Sequence, residues 1–199
     1  MESIRTFIAI ELTEPLRRAL ATAQARLQRD HATRAIRWVA PENIHITLKF
    51  LGDVDAAQMP TLQRAIADVC AAIPPFALTL GGVGAFPNTR KPSVVWIGAR
   101  GQIEIAARLA QKIDDACAAL GFAREARAFT PHLTLGRVKR DASPNERQLI
   151  GALIEQTQIG DFGELRVERV SVMKSELKPG GSVYARLAMC QLTNEPMNQ

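Results

Sequence analysis

Cysteine is scarce in this chain of 199 residues: Cys70, Cys117 and Cys190 are widely spaced and odd in number. That excludes a disulfide framework, and with no Cys-x-x-Cys pair or Cys/His cluster it excludes a structural zinc site as well. Cys70 and Cys117 fall on apolar faces of predicted helices, as buried, unreactive thiols do. Aromatic residues make up only 5% of the chain. The interleaved aromatic and basic strand of a stacking RNA-binding platform is missing. No window reaches the roughly 18 uninterrupted apolar residues of a membrane span. The start, Met1-Glu2-Ser3-Ile4-Arg5, lacks the basic region and apolar run of a secretory signal, so the expected location is cytoplasmic. Gly81-Gly82-Val83-Gly84 has neither the Lys-Ser/Thr ending nor the following helix of a phosphate loop. What is present is an ordinary globular balance, 47% apolar and 23% charged. The net charge of +5 fits an anionic ligand without demanding one. Its densest basic patch is Arg137-Val138-Lys139-Arg140.

Periodicity along the chain alternates between strand and helix. Thr6–Ile10 reads as a strand, and Thr13 as an N-cap with Pro15 in the first turn of a helix ending near Arg29. Residues 36–39 form a short strand broken by Pro41. The segment 44–51 alternates strictly, with Ile44, Ile46, Leu48 and Phe50 on one face and His45, Thr47 and Lys49 on the other. A helix over 59–73 stops at Pro74-Pro75. Strands follow at 76–80, 83–86 and 93–98, then a helix over 105–120 with Gly121 as its C-cap. Residues 129–138 form another alternating strand. Ser143-Pro144-Asn145-Glu146 is a capping box with proline at the first helical position. Two strands, 164–176 and 182–192, close the fold around Lys178-Pro179-Gly180-Gly181. A parity shift between Val167 and Val170 predicts a bulge near Glu168-Arg169, and the tail from about residue 193 is expected to fray. Strands with one polar face argue for antiparallel or mixed sheets, hence an α+β fold. With no Gly/Ser-rich linker, residues 1–199 read as one domain of two lobes.

Of three histidines, two stand in the same setting: His45-Ile46-Thr47-Leu48 and His132-Leu133-Thr134-Leu135. Twelve residues are threonine, so two of three His having Thr two places on has a chance of roughly one per cent. Period-two geometry puts His and Thr of each motif on one face, about 6.5 to 7 Å apart. If the halves fold alike and face each other, two imidazoles and two hydroxyls converge. That set suits phosphodiester cleavage without metal: one neutral imidazole takes a proton from the attacking oxygen and one imidazolium gives a proton to the leaving oxygen. Threonine hydroxyls donate to the non-bridging oxygens. No carboxylate sits at a matching offset and His-x-Thr is not a zinc spacing, so no metal is expected. Geometry alone does not say which histidine is acid and which is base. His31, in a polar stretch, reads as surface.

The paired His-x-Thr-x motifs resemble the signature of the 2H phosphoesterase superfamily. Their flanks resemble its bacterial and archaeal branch, the RNA 2′,3′-cyclic phosphodiesterases once named 2′-5′ RNA ligases. The similar stretches are Arg5–Ile10, Val39–Gly52, Gly84–Pro87 with Val94–Gly98, Phe129–Arg137, and Lys174–Leu177 through Tyr184. The resemblance implies two pseudo-symmetric lobes, each an antiparallel sheet with helices outside, around a central cleft. It implies an enzyme needing no cofactor that hydrolyses RNA 2′,3′-cyclic phosphate ends to 2′-phosphomonoesters. Its partner would be an RNA or nucleotide with such an end; no membrane is involved, and a monomer is expected. His45 would be the proton donor and His132 the acceptor, with Thr47, Thr134 and Arg137 on the phosphate. Simple alternation puts Arg137 opposite His132, so its role requires a bulge, which Gly136 could supply. Phe7 matches an aromatic near the base-binding end, though a strand Phe also suits a core. Lys49, on the face of His45, either adds positive potential or is a solvated lysine; Arg5 and Tyr184 are equally open. Two alternatives stand beside hydrolysis: reversible 2′-5′ RNA ligation, and an RNA-binding module without catalysis.

Overall fold

The computed structural model describes residues 2–178 and 181–193, so Pro179-Gly180 of the expected last turn and the tail beyond Thr193 lie outside the described residues. Among the described residues, nine strands and four α-helices form an α+β fold, every strand pair antiparallel. In chain order they are β1 (Ser3–Glu11), α1 (Glu14–Gln28), β2 (Ile36–Trp38), β3 (His45–Asp55), α2 (Met59–Ala71), β4 (Phe76–Phe86), β5 (Val94–Gly101), α3 (Ile103–Ala119), β6 (His132–Val138), α4 (Pro144–Gln156), β7 (Asp161–Val167), β8 (Arg169–Lys178) and β9 (Gly181–Gln191). The strand order is β7-β4-β5-β6-β3-β1-β8-β9, with β2 on the flank of β6. The centre of that path is thin: β3 and β6 pair only at Ile46 and Leu133. The sheet therefore reads as two four-stranded lobes, β3-β1-β8-β9 and β6-β5-β4-β7, joined where the two motifs meet.

Each lobe buries one face under two helices. α2 and α3 cover the first lobe, and α1 and α4 the second. Ile8, Ile10, Ile46, Leu78, Ile97, Leu109, Ile113 and Leu133 are all 1% exposed or less, and belong to one continuous core. α4 starts as its sequence dictates, with Ser143 and Glu146 closing a reciprocal capping box behind Pro144. Thr13 occupies the N-cap position of α1, but its side chain makes no capping hydrogen bond. None of the described helices is long and apolar enough to cross a membrane.

Three expected boundaries are corrected. Residues 76–86 form one strand, because a register shift at Gly81/Val83 absorbs Gly82 in a left-handed conformation (φ 70°). The strand at 129–138 begins only at His132. The run 164–176 is not one strand with a bulge. Val167 pairs with Phe76 on β4, whereas Arg169 pairs with Gln191 on β9, so the parity break at Glu168 marks the chain crossing from one lobe to the other.

Candidate active site

Ile46 and Leu133, the one pair joining β3 to β6, both point into the core. Their neighbours must point the other way, so His45, Thr47, His132 and Thr134 share the face away from the helices. Continuing the antiparallel register sets His45 opposite Thr134 and Thr47 opposite His132. Thr47 is exposed and Thr134 half-buried, and neither hydroxyl has an internal hydrogen bond among the described residues.

Both imidazoles are held alike. Nδ1 of His45 lies 2.8 Å from the carbonyl of Asn43, and Nδ1 of His132 lies 2.8 Å from the carbonyl of Thr130. A carbonyl only accepts, so each Nδ1 donates and each Nε2 is the atom left to titrate. Each ring also rests on an aromatic neighbour. Phe7 stacks on His45 with centroids 4.7 Å apart, and Tyr184 meets it edge-on at 5.4 Å. Phe86 meets His132 edge-on at 4.9 Å.

After each motif the strand carries one extra residue. On β3, Ala9 pairs with Thr47 but Ile8 with Lys49, leaving Leu48 unpaired; on β6, Trp96 pairs with Thr134 but Val95 with Gly136, leaving Leu135 unpaired. Such a bulge shifts the side-chain parity by one. On β6 this turns Arg137 to the histidine face, where its guanidinium acts on His132. Gly136 takes the inward position because an added Cβ would lie 2.6 Å from Ile36 Cγ2. On β3 the same shift overturns the expected face of Lys49. Its side chain is buried, with Nζ 2.5 Å from both Asp114 Oδ1 and the Ala123 carbonyl. Lys49 thus ties β3 to α3 and does not reach the cleft. Phe50 comes outward in its place, 49% exposed, with the Arg5 guanidinium 4.7 Å from its ring centre. Phe7 is on the cleft face but only 3% exposed, so it supports His45 and has little ring left for a base.

Burial pushes both histidines below the ordinary imidazole value, and the mutual repulsion of the two rings adds to this at His45. The neighbouring charges differ in sign. Glu11, directly across the strand from His45, favours its charged form, whereas Arg137 disfavours charge on His132. Glu11 itself accepts two 2.8 Å hydrogen bonds from Arg186 and one of 2.5 Å from Ser171. The Arg186 bond outweighs burial and holds its carboxyl below the usual range. Glu11, Asn43, Tyr184 and Arg186 line a cavity of about 270 Å³ beside His45. Sequence reasoning missed Glu11, Phe50 and Phe86. Glu11 closes the alternation of Phe7 and Ala9 and could have been found by it; Phe50 could not, because its face depends on the bulge. Among the described residues no three His, Cys, Asp or Glu side chains gather as metal ligands.

The sequence pattern of the LigT-like phosphoesterases matches the chain twice, over residues 10–96 and 97–184, once for each motif. The chain belongs to this family. An RNA 2′,3′-cyclic phosphodiesterase from Methanothermobacter thermautotrophicus is 35% identical over 189 residues, covering 95% of this chain and 99% of its own. The crystal structure of TT0787 from Thermus thermophilus matches with a TM-score of 0.77 at 30% identity, over 96% of this chain and 100% of that one. Escherichia coli LigT, solved in complex with 3′-AMP, matches at 0.76 and 27% identity, over 96% and 99%. The boundary between the two LigT-like matches falls inside β5, so the repeated halves and the two lobes do not coincide.

Proposed function

We propose that this LigT-like chain hydrolyses RNA 2′,3′-cyclic phosphate ends to 2′-phosphomonoesters without a metal, by general acid-base catalysis between His45 and His132. The observation that carries the reading is the pair of equivalently anchored imidazoles on adjoining strands, each Nε2 without a hydrogen bond among the described residues and each with a threonine hydroxyl two residues on. Water attacks phosphorus while His132 Nε2 takes its proton. The bond from phosphorus to O3′ breaks as His45 Nε2 protonates the leaving oxygen, and the two rings then exchange protons with solvent. Thr47 and Thr134 donate to the non-bridging oxygens, and Arg137 balances their charge. The signs of the neighbouring charges favour this direction: a carboxylate beside the donor, a guanidinium beside the acceptor. Phe50, exposed at the position equivalent to Arg137, offers a ring on which the terminal base can stack. An RNA-end substrate also suits a cytoplasmic enzyme. Replacing either histidine by alanine should lower hydrolysis at least about a hundredfold with the fold intact. Product phosphate position is read by ³¹P NMR, with a chelator arm in which activity should persist. Near-normal turnover in either variant, or a 3′-phosphate product, rejects the mechanism.

A further inference from the structure

Beyond the cleft, the β2 flank of the second lobe carries charges that the chain leaves unbalanced. Arg37 on β2 pairs directly with Arg137 on β6. Residues opposite one another in an antiparallel pair share a face and lie about 5 Å apart at Cβ, where like charges destabilise the pair. Both arginines are exposed, and among the described residues neither has a carboxylate within ion-pair distance. Lys139 follows Arg137 by two residues and Arg140 comes next, both exposed and likewise without an ion pair. Glu146, whose carboxyl feels Lys139, is committed to the backbone and hydroxyl of Ser143. Arg147 holds the turn beneath from inside, donating to the carbonyls of Pro92, Lys139 and Arg140. The backbone is fixed while the outward cations are left free. The first lobe has no such flank: no described strand lies beside β3 where β2 lies beside β6, and the position of Arg137 is held by Phe50.

We propose that Arg37, Lys139 and Arg140 extend the site from Arg137 as a track for backbone phosphates. The preferred substrate is then an RNA strand whose upstream nucleotides lie over β2, not a free cyclic mononucleotide. This rests on the reading that the cleft processes a cyclic phosphate end, but it makes a separate demand. Each single-strand phosphate neutralised contributes a slope of about −0.7 to log affinity against log salt. The triple variant Arg37→Gln/Lys139→Gln/Arg140→Gln should therefore flatten that slope by about 2 for an eight-nucleotide RNA. It should also lower the ratio of kcat/KM on cyclic-ended RNA over 2′,3′-cyclic AMP by roughly tenfold at low salt. A charge-matched control, Arg64→Gln/Arg108→Gln/Lys112→Gln on the exposed surfaces of α2 and α3, should leave the slope at the wild-type value. Binding is measured by fluorescence anisotropy of a 2′-phosphate-ended RNA, so it needs no turnover. An unchanged slope in the triple variant, or an equal loss in the control, overturns the track whatever the hydrolysis shows. Absence of hydrolysis by the wild-type protein with the slope still flattened would reject the activity and keep the track.

Discussion

The two lobes carry the same His-apolar-Thr-Leu pattern, one extra residue at the same place in it and the same bond from Nδ1 to the carbonyl two residues before, yet their inward anchors and their charges differ. On the first lobe the inward side chain after the bulge is Lys49, paired with Asp114 of α3. On the second that place is Gly136, and the hold comes from Gln24 of α1, whose amide donates to the carbonyls of Val39 and Leu135 at 2.8 and 3.0 Å. An ion pair and a neutral amide thus hold equivalent bends. A backbone device can be repeated faithfully while the side chains around it diverge, and that divergence can make two like imidazoles unequal.

Loss of the two anchors should have unequal costs. Lys49→Met leaves Asp114 buried without its ammonium partner, keeping only the Glu125 amide at 3.0 Å and the longer 3.5 Å contact to Arg124, and should cost about 3 kcal/mol in chemical denaturation. Lys49→Met/Asp114→Leu should recover most of that. Gln24→Leu strips the Val39 carbonyl of its partner, while the Leu135 carbonyl keeps a bond from the Val39 amide at 2.8 Å, and should cost about 1 kcal/mol. Equal losses would mean that the anchors are interchangeable. The smallest effect sharpens the charge difference. Removing the carboxylate with Glu11→Gln takes away what favours His45 imidazolium, so its pKa should fall. Arg137→Gln removes what opposes protonation of His132, so that pKa should rise. NMR titration of the ring protons reads both, and shifts of the same sign would show that the lobes are not polarised against each other.

Much of this was legible in the chain. The tetrapeptides, the alternation as far as Leu48 and Leu135 and the α4 capping box depend on residues within a few positions, and the structure keeps them. Arg137 was readable because Gly136 signalled a disturbed strand. Lys49 and Phe50 were not. Strict alternation from Ile44 to Leu51 gives no sign of a bulge, which is set by pairing with β1 and by an aspartate 65 residues away on α3. The crossover at Glu168 left its mark as a parity shift, but a local pattern cannot distinguish a kink within one strand from departure to a different one.

That crossover, with α1 covering the second lobe and α3 the first, makes the architecture interlaced. A fragment ending at residue 96 would hold β1 and β3 without β8 and β9, and α1 and β4 without β6, β7 and most of β5. Neither half of the chain is a miniature of the whole, and neither could close its own hydrophobic layer. Assembly must wait for strands near the C-terminus to seat beside strands near the N-terminus, so the molecule should fold in a single late, concerted step and respond poorly to being split at its own repeat boundary.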